Sequence, residues 1–206
     1  MVNRRRFMGQ LQDSRYTELE YIEATGTQYI DTEYICSENT KIEIDFSISA
    51  YSIYHSLFGA AGNRTTKRFV GQVLKNVMLI TYIGTAYKNP KFEFEIGQRY
   101  VLVQSKQMVS LNGTDLGSWS GSMSFTKDTD TSLFLMAIND KSNNTGVFGY
   151  KFKGRIYGFK IYENDILAMD LIPVLDSNKV PCFYDKISNE LLYNKGTGEF
   201  LYAYKQ

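Results

Sequence analysis

Two carboxylates in the segment 40–48 stand two residues apart, at Glu43 and Asp45. Because successive side chains of a β-strand point to opposite faces, both carboxylates would lie on one face of a strand. Two carboxyl groups about 5–5.5 Å apart form the catalytic pair of retaining glycoside hydrolases, so the spacing raises a glycosidase hypothesis. The next position on that face is Ser47, which cannot supply the proton that a leaving group needs. The sequence therefore favours a solvated polar strand face, on which Lys41 offsets Glu43.

The chain contains a single histidine, His55, and this count excludes several enzyme classes. Zinc sites built from several histidines and the paired-histidine helix of metalloproteases both need more than one. A Ser-His-Asp triad would have to use His55, and the chain has no nucleophile elbow. The nearest segment, Gly117–Gly121, has Trp119 where the nucleophilic serine would stand. The sequence therefore predicts that the protein is not an enzyme.

Aromatic side chains near amides and carboxylates indicate carbohydrate binding as an alternative to catalysis. Sugars present flat C–H faces that stack on aromatic rings, and their hydroxyls exchange hydrogen bonds with amides and carboxylates. Trp119, in a loop rich in glycine and serine, is the best single candidate, followed by Tyr82 and Tyr87. Asn139 and Asp140, at the start of a polar loop, are candidate polar contacts. Each of these five residues is also compatible with a purely structural place in the core or at its rim.

The loop 139–146 is rich in oxygen atoms, which are the ligands that calcium prefers. Calcium takes about 6–8 oxygens, usually including several carboxylates, whereas this loop has one carboxylate, Asp140, next to Lys141. Asp128 and Asp130 could add ligands only if the fold brings them close. The chemistry leaves calcium open without supporting it, and the sequence predicts an exposed, turn-rich loop with no bound metal or other cofactor.

The composition fits one globular domain that binds neither nucleic acid nor a membrane interior. The chain has 206 residues, and its 23 Lys+Arg against 22 Asp+Glu give a net charge of +1, which is not the footprint of a nucleic-acid binder. No run of about 18 apolar residues occurs, so no transmembrane helix is predicted. Cys36 and Cys182 are too few for a disulfide framework and are predicted to be buried thiols, with one bridge between them as the alternative.

The first sixteen residues form a basic head that contains Arg4, Arg5 and Arg6. No apolar stretch of about 7–15 residues and no small-residue cleavage site follow, so we expect no secretory signal peptide. We expect this head, 1–16, to be an arm that docks on an acidic partner or anchors the chain in an assembly. A frayed terminus is the alternative. The globular domain is predicted to cover 17–206.

Alternation with a period of two residues dominates the rest of the chain and predicts β-strands. It is clearest in 40–48 and in 91–96, and Gly97-Gln98 then turns the chain into a strand at 99–103. A strand at 106–111 runs into Asn112-Gly113, the strongest short hairpin signal. Further strands are predicted at 18–23, 27–31, 54–60, 67–74, 77–83, 131–138, 151–162, 166–173, 181–184, 190–193 and 199–204.

The segment 163–171 is the main candidate for a helix, since it contains several good helix formers. Asn164-Asp165, however, separates two apolar runs, as the turn of a hairpin does. The hairpin is therefore the preferred prediction.

Several motifs resemble those of a known group of domains. The segments 21–32 (YIEATGTQYIDT), 154–162 (GRIYGFKIY) and 172–198 resemble concanavalin A-like, laminin-G-like jelly-roll domains of bacteriophage structural proteins and gut-bacterial surface proteins. The resemblance covers about residues 18–204. It implies an all-β jelly-roll sandwich of two antiparallel sheets with an apolar layer between them. It does not imply an activity, because this fold carries lectins, glycanases and structural modules.

The same resemblance bears on the carboxylate pair. Laminarinase-type glucanases share the fold, and their E-x-D-x-E strand is similar to 43–47. Ser47 stands where the glutamate that acts as acid and base would be. The resemblance thus implies a domain that has lost, or never had, this hydrolase chemistry.

The strand 154–162 can bury Ile156, Phe159 and Ile161 together only if a β-bulge lies near Gly158. Glycines within strands also mark positions where another element comes close. We therefore expect such an approach at Gly154 and at Gly158.

Together these features predict a non-catalytic accessory protein of a bacteriophage virion, on the capsid or the tail, that adheres to host or mucosal glycans. Its partners would be other virion proteins, with many copies in one assembly, and it would be assembled in the cytoplasm of the host bacterium. A purely structural decoration or joining protein is nearly as well supported. A glycoside hydrolase of laminarinase type and an exported host lectin are weaker alternatives.

Overall fold

The computed structural model describes residues 16–75, 78–141 and 152–206. Within these ranges the chain forms seventeen β-strands and no α-helix. The strands are β1 (Tyr16–Thr25), β2 (Ile30–Asp31), β3 (Thr40–Ile48), β4 (Tyr54–Ala61), β5 (Arg68–Leu74), β6 (Met78–Ile83), β7 (Ala86–Lys88), β8 (Tyr100–Gln104), β9 (Val109–Leu111), β10 (Thr114–Asp115), β11 (Phe134–Leu135), β12 (Asn139–Asp140), β13 (Lys153–Glu163), β14 (Ile166–Asp176), β15 (Pro181–Asp185), β16 (Leu191–Leu192) and β17 (Leu201–Tyr204).

The strands form two sheets. The ten-stranded sheet has the order β10-β9-β8-β3-β13-β1-β14-β15-β16, and β17 pairs with β1. The seven-stranded sheet has the order β2-β11-β4-β5-β6-β7, and β12 pairs with β4. Among the described strand pairs, only β4 with β12 is parallel. The predicted all-β sandwich of two antiparallel sheets is confirmed.

The two sheets meet in a core that is rich in phenylalanine. Strand β3 contributes Ile42, Ile44 and Phe46, which are fully buried, as the alternation predicts. The ring of Phe58, from the seven-stranded sheet, lies 6.2 Å from the ring of Phe159 of β13, measured between centroids. Each buried side chain of this size contributes about 1.5–3 kcal/mol through the apolar surface it removes from water.

A β-bulge in β13 brings its apolar residues onto one face. The register between β13 and β3 shifts between Ile156 and Gly158. Because of this extra residue, Ile156, Phe159 and Ile161 all reach the core and are fully buried. The predicted bulge is confirmed.

The two glycines of β13 differ in the space that is available for a side chain. A Cβ at Gly154 would lie 2.1 Å from the backbone oxygen of Ser47, so a neighbouring strand leaves no room for a side chain. At Gly158 the nearest atom would be the carbonyl oxygen of Leu171, at an ordinary 3.9 Å. The predicted close approach is therefore right for Gly154 and wrong for Gly158, where the bulge alone distinguishes the position.

The predicted strand 91–96 does not form. Its first residue makes an isolated bridge to Met78 of the seven-stranded sheet, and its last residue bridges Ile48 of the ten-stranded sheet. The segment crosses from one sheet to the other, so it cannot build a ladder along either. Phe94 is nevertheless buried. The alternation correctly predicted that Phe94 faces the core, but it did not predict how the backbone of this segment pairs.

The predicted strand 131–138 is interrupted at Met136. This residue has a φ of 67°, in the left-handed region that a methionine rarely adopts. The backbone turns there, so β11 is only two residues long. The chain then runs parallel to β4, with Asn139 beside Ala60 and Asp140 beside Ala61.

Both predicted hairpin turns are present. Asn112 and Gly113 have φ values of 49° and 76°, and Asn164 and Asp165 have values of 51° and 61°. Positive φ at both central residues suits a two-residue hairpin between strands with a right-handed twist. The segment 163–171 is accordingly a hairpin between β13 and β14 rather than a helix.

The cysteines are buried thiols, as predicted. Cys36 and Cys182 are both buried and are not bonded to each other. Burial raises the pKa of both thiols, that of Cys182 to about 12. Both side chains therefore remain protonated and unreactive at neutral pH.

The described residues contain no helix long and apolar enough to cross a membrane. Tyr16, the last residue of the predicted arm, is the first residue of β1. Arg4, Arg5 and Arg6 lie outside the described residues.

The contrast between the two glycines of β13 gives a direct test of the fold. We expect Gly154→Ala to lower the free energy of unfolding by about 3 kcal/mol or more, because its methyl group would strike the carbonyl of Ser47. The matched substitution Gly158→Ala should change it by less than about 1 kcal/mol. Chemical denaturation followed by fluorescence measures both values. Equal effects of the two substitutions would contradict the described packing of β13 against β3.

Candidate functional site

The outer face of the seven-stranded sheet carries a small apolar cluster that is separate from the main core. It consists of Ala61, Val70 and Ile138, with Tyr82 packed against them. Strand alternation explains the separation, since Val70 points outward while its neighbour Phe69 points into the core. This cluster gives an otherwise polar surface an apolar floor.

A shallow cavity of about 140 Å³ lies over this cluster. Cavities that enclose whole small molecules measure roughly 300–1,000 Å³, so this one has room for part of a ligand. Its lining combines apolar and polar side chains: Ala61, Arg64, Arg68, Val70, Gln72, Tyr82, Ile138 and Asp140. An apolar floor with a few fixed polar groups is the usual composition of a ligand site.

Arg68, at the start of β5, is held in a fixed orientation. Its Nε donates a hydrogen bond to the carbonyl oxygen of Gly84 at 2.8 Å. Its guanidinium lies 3.8 Å from the centre of the Tyr82 ring, a cation–π contact. Burial lowers the pKa of Arg68, because the charge has lost part of its contact with water. In the part of the chain that the structure describes, no carboxylate forms an ion pair with Arg68.

A second arginine and a carboxylate lie at the other side of the cavity. Asp140 is almost completely buried, and one of its oxygens lies 3.7 Å from a terminal nitrogen of Arg64. The ionisable groups of the lining are thus two guanidinium groups and one carboxylate. Their charges leave a surplus of one positive charge, and Arg68 carries it.

Three of the five predicted sugar-binding residues come together here. Tyr82 and Asp140 line the cavity. Tyr87 lies opposite Tyr82 on the next strand, with 6.4 Å between ring centroids, and 43% of its surface is exposed. Because the guanidinium of Arg68 covers one face of Tyr82, Tyr87 is the ring that is open for stacking.

The structure places the other two predicted residues elsewhere. The side-chain amide of Asn139 donates hydrogen bonds to the backbone oxygen and the hydroxyl of Ser132, at 2.9 and 3.3 Å. The indole nitrogen of Trp119 donates to the backbone oxygen of Ser105 at 3.1 Å, and its ring packs against the main core. Both side chains are used within the fold.

Arg68 and Gln72 were not predicted from the sequence as binding residues. A signal was present, because Arg68, Val70 and Gln72 alternate along β5 and therefore share a face. The alternation could not show that Tyr82 and Asp140 lie beside them. Gln72 is fixed by a hydrogen bond of 3.1 Å from its amide to the hydroxyl of Ser56.

The carboxylate pair of β3 lies on the outer face of the ten-stranded sheet and is occupied by ion pairs. Arg99 donates two hydrogen bonds of 2.6 Å to the two oxygens of Asp45. Lys160 lies 3.6 Å from Glu43. Ser47 is buried, 3.4 Å from the hydroxyl of Tyr157. This arrangement is the polar strand face favoured above. The predicted pairing of Lys41 with Glu43 is wrong, because Lys41 donates to Asp165 at 2.6 Å.

His55 is fully buried, so it cannot contact a substrate. Its Nδ1 accepts a hydrogen bond from the backbone nitrogen of Lys153 at 3.3 Å, and its ring packs edge-on against Phe152. Burial lowers the pKa of His55 to about 4; the backbone of Ala50 opposes this shift, and the charge of Lys153 adds to it. The imidazole is therefore neutral at pH 7.

Among the described residues, no group of three or more histidine, cysteine or carboxylate side chains is arranged to hold a metal ion. Lys141 donates a hydrogen bond to the backbone oxygen of Asp130. An amine therefore lies between Asp130 and the loop 139–146, the two segments that were considered as sources of calcium ligands. Residues 142–146 of the predicted loop lie outside the described residues.

Comparisons with known proteins find the same fold in carbohydrate-binding structures. The CBM40 domain of the Ruminococcus gnavus IT-sialidase, bound to α2,3-sialyllactose, matches with a TM-score of 0.54 and 13% identity over 72% of this chain and 92% of that domain. A Bacteroides ovatus protein named as a candidate carbohydrate-binding protein matches with a TM-score of 0.61 and 10% identity over 90% of this chain. This chain spans 60% of the length of the Bacteroides protein.

A heptameric SAP-like pentraxin from Limulus polyphemus matches with a TM-score of 0.51 and 11% identity, over 76% of this chain and 79% of the pentraxin. No family model matches the sequence, and no curated protein does. At these identities the comparisons establish the fold alone, which is an all-β jelly-roll sandwich of two antiparallel sheets. The two bacterial neighbours bear names of carbohydrate-binding modules, not of catalytic domains.

The burial of His55 makes stability depend on pH in a predictable direction. The folded pKa of about 4 lies below the unfolded value of about 6.5, so the unfolded chain binds the proton more tightly. We expect the free energy of unfolding to be about 2 kcal/mol lower at pH 5 than at pH 7.5, through this group alone. The loss begins as the pH falls through about 6.5 and levels off below about 4.

Since the chain has one histidine, NMR can follow this imidazole without ambiguity. Its resonance should titrate near pH 4 in the folded protein and near pH 6.5 in denaturant. The variant His55→Gln should lack the step in stability between pH 7.5 and 5. A midpoint near 6.5 in the folded protein would contradict the burial of His55.

Proposed function

We propose that this protein is a non-catalytic carbohydrate-binding module and that the sugar binds at the cavity on the outer face of the seven-stranded sheet. The observation that carries the proposal is the combination, at one place, of an exposed ring, an apolar floor and fixed polar groups. Tyr87 supplies the ring, Val70 and Ile138 the floor, and Gln72 and Arg68 the polar groups. The comparisons support the proposal, because two structures of this fold carry names that state carbohydrate binding.

The geometry suits one end of a glycan better than an enclosed chain. One C–H face of a sugar ring would lie against the apolar floor, its hydroxyls would reach Gln72 and Asp140, and Tyr87 would stand at the rim beside Tyr82. The small volume limits the contact to about one sugar unit, so each site binds weakly. Many copies in one assembly would raise the overall avidity without any new contact.

The absence of catalysis is part of the proposal. Asp45 is neutralised by a two-pronged pair with Arg99, Glu43 lies beside Lys160, and Ser47 stands where a proton donor would be needed. A glycosidase needs both a carboxylate and a protonated acid beside the bond it cleaves. This strand offers no such acid.

We further propose that the module is displayed on a bacteriophage virion, where it adheres to glycans of the host surface or of mucus. The support is the resemblance of the segments 21–32 and 154–162 to phage structural proteins. In this proposal the basic head with Arg4, Arg5 and Arg6 docks on a neighbouring virion protein.

A purely structural virion protein is the second candidate, and one surface favours it. Strand β17 exposes Leu201, Tyr202 and Tyr204, with 55%, 39% and 54% of their surfaces accessible. Large apolar side chains clustered on an exposed strand are typical of protein contacts. Under this alternative, the protein makes contacts through β17 and has no affinity for sugars.

A glycan array separates the two candidates. We expect the full-length protein, tetramerised on a streptavidin carrier, to bind a subset of glycans. Tyr82→Ala and Tyr87→Ala should each weaken that binding by about tenfold, through loss of ring contacts and of the support for Arg68.

The control is Tyr157→Ala on the ten-stranded sheet. Tyr157 also lies under an arginine, Arg99, at 4.2 Å, so the two substitutions remove similar contacts from opposite faces. This variant should bind as the unchanged protein does. Silence of the folded protein across the array would overturn the carbohydrate proposal and leave the structural one.

The virion proposal has its own test. Mass spectrometry of phage particles purified from cells that produce this chain should detect it in many copies per particle. Its presence only in the unassembled fraction would contradict the proposal. The result does not depend on whether the cavity binds sugar.

A further inference from the structure

In the described part of the chain, three arginines on the outer faces of the sandwich lie over tyrosine rings, and two of them pair with a carboxylate. Arg99 lies over Tyr157 and makes two hydrogen bonds of 2.6 Å to Asp45. Arg155 lies over Tyr21 at 4.4 Å and donates to Glu23 at 2.9 Å. The structure therefore holds two complete examples of a motif in which a stacked guanidinium binds a carboxylate.

The third example lacks its carboxylate. Arg68 lies over Tyr82 at 3.8 Å, nearer than the other two arginines lie to their rings. Its hydrogen bond from Nε goes to the carbonyl of Gly84, and within the described ranges no acidic side chain pairs with it. At Arg99 and Arg155 the acid accepts from Nε, and at Arg68 the carbonyl of Gly84 takes that place. Because Arg68 also lines a cavity, its terminal nitrogens are left for a ligand.

The orientation of Arg68 is set before any ligand arrives. The Tyr82 ring fixes the plane of the guanidinium, and the hydrogen bond to Gly84 fixes its rotation within that plane. The two terminal nitrogens remain, and together they match the two oxygens of a carboxylate. Since the side chain is already ordered, binding costs little of the conformational entropy that a free arginine would lose.

The surroundings favour one carboxylate over a polyanion. Asp140 is almost completely buried and pairs with Arg64, so the lining has a net charge of +1, which a single carboxylate neutralises. The floor of Ala61, Val70 and Ile138 offers no hydrogen bonds and suits the C–H face of a ring. The site is built for a group that is acidic at one point and otherwise apolar or hydroxylated.

We infer that the ligand of this cavity is an acidic sugar whose carboxylate pairs with Arg68. The inference rests on the proposed carbohydrate function and specifies its substrate class. Uronic acids and nine-carbon sialic acids share this chemistry, because both carry one carboxylate on a sugar ring.

Matched pairs of sugars test the inference with the full-length protein in titration calorimetry. One pair is 3′-sialyllactose and its carboxyl methyl ester, and the other is trigalacturonic acid and its methyl ester; the members of each pair differ only in whether the carboxylates are free. We expect the protein to bind the acidic member of at least one pair at least about tenfold more tightly than the neutral member. That preference should shrink as the salt concentration rises from about 50 to about 500 mM. Which pair responds identifies the source of the carboxylate.

Two variants locate the effect. Arg68→Gln should abolish the preference for the acidic sugar, and Arg68→Lys should retain part of it, since lysine keeps the charge without the fork. Arg99→Gln is the matched control, because it removes a stacked arginine from the opposite sheet. It should leave the preference unchanged. Circular dichroism and thermal unfolding verify that each variant is folded.

The possible outcomes distinguish a failure of the acidic-sugar inference from a failure of the carbohydrate-binding function on which it rests. Equal binding of both members of each pair would overturn the inference of an acidic sugar and leave the carbohydrate-binding function. The same conclusion would follow if the array showed binding of neutral glycans alone and Tyr87→Ala weakened it. A preference that Arg99→Gln removes as fully as Arg68→Gln would also overturn the inference, because it would reflect the net charge of the surface. No binding to any sugar, on the array or in calorimetry, would overturn both.

Discussion

The structure depends on one constraint, the alternation that commits one face of each sheet to a shared dry interior. Ile42, Ile44 and Phe46 fill that interior from one side, and Phe58 and Phe69 fill it from the other. A slip of one residue in any of these strands would turn its apolar side chains outward, so the pairing register is strongly specified. The same constraint creates the outer faces, because every second residue of each strand is excluded from the core. The roles of these outward-facing residues depend on their charges and on the side chains beside them.

The two outer faces use similar parts in different ways. On the ten-stranded sheet, stacked arginines end on carboxylates, and Asp45 and Glu23 complete the pairs. Exposed ion pairs of this kind add at most about 1 kcal/mol each to stability, but each of them neutralises the charge of its arginine. On the seven-stranded sheet, the same stacked arginine faces a cavity. The stacked arginines of the ten-stranded sheet are paired with carboxylates, whereas Arg68 has no carboxylate beside it among the described residues and can pair with a ligand.

Sequence patterns predicted the parts of this structure that local geometry decides. The alternation of 40–48, the turn at Asn112-Gly113 and the bulge near Gly158 all depend on neighbours in the chain, and all three are present. The patterns did not predict that 91–96 crosses between the sheets, since that depends on which edges are vacant. They also did not predict the cavity, whose residues come from β4, the loop after it, β5, β6 and the segment after the break at Met136. Trp119 illustrates the same limit, because composition marked it as a ligand contact while its indole is used against the core.

The partners of β1 have a consequence for how the molecule is made. Within the described chain, this strand pairs only with β13, β14 and β17, so Ile22 lies between Ile156 and Tyr202. Its apolar residues, which include Leu19 and Ile22, are synthesised well before these partners and have no ladder to join until β13 follows. The larger sheet therefore cannot close until β13, β14 and β17 have all been made. Folding that waits for such distant partners is slow, and the finished sheet is cooperative, because β1 joins the strands on the β13 side to those on the β14 side.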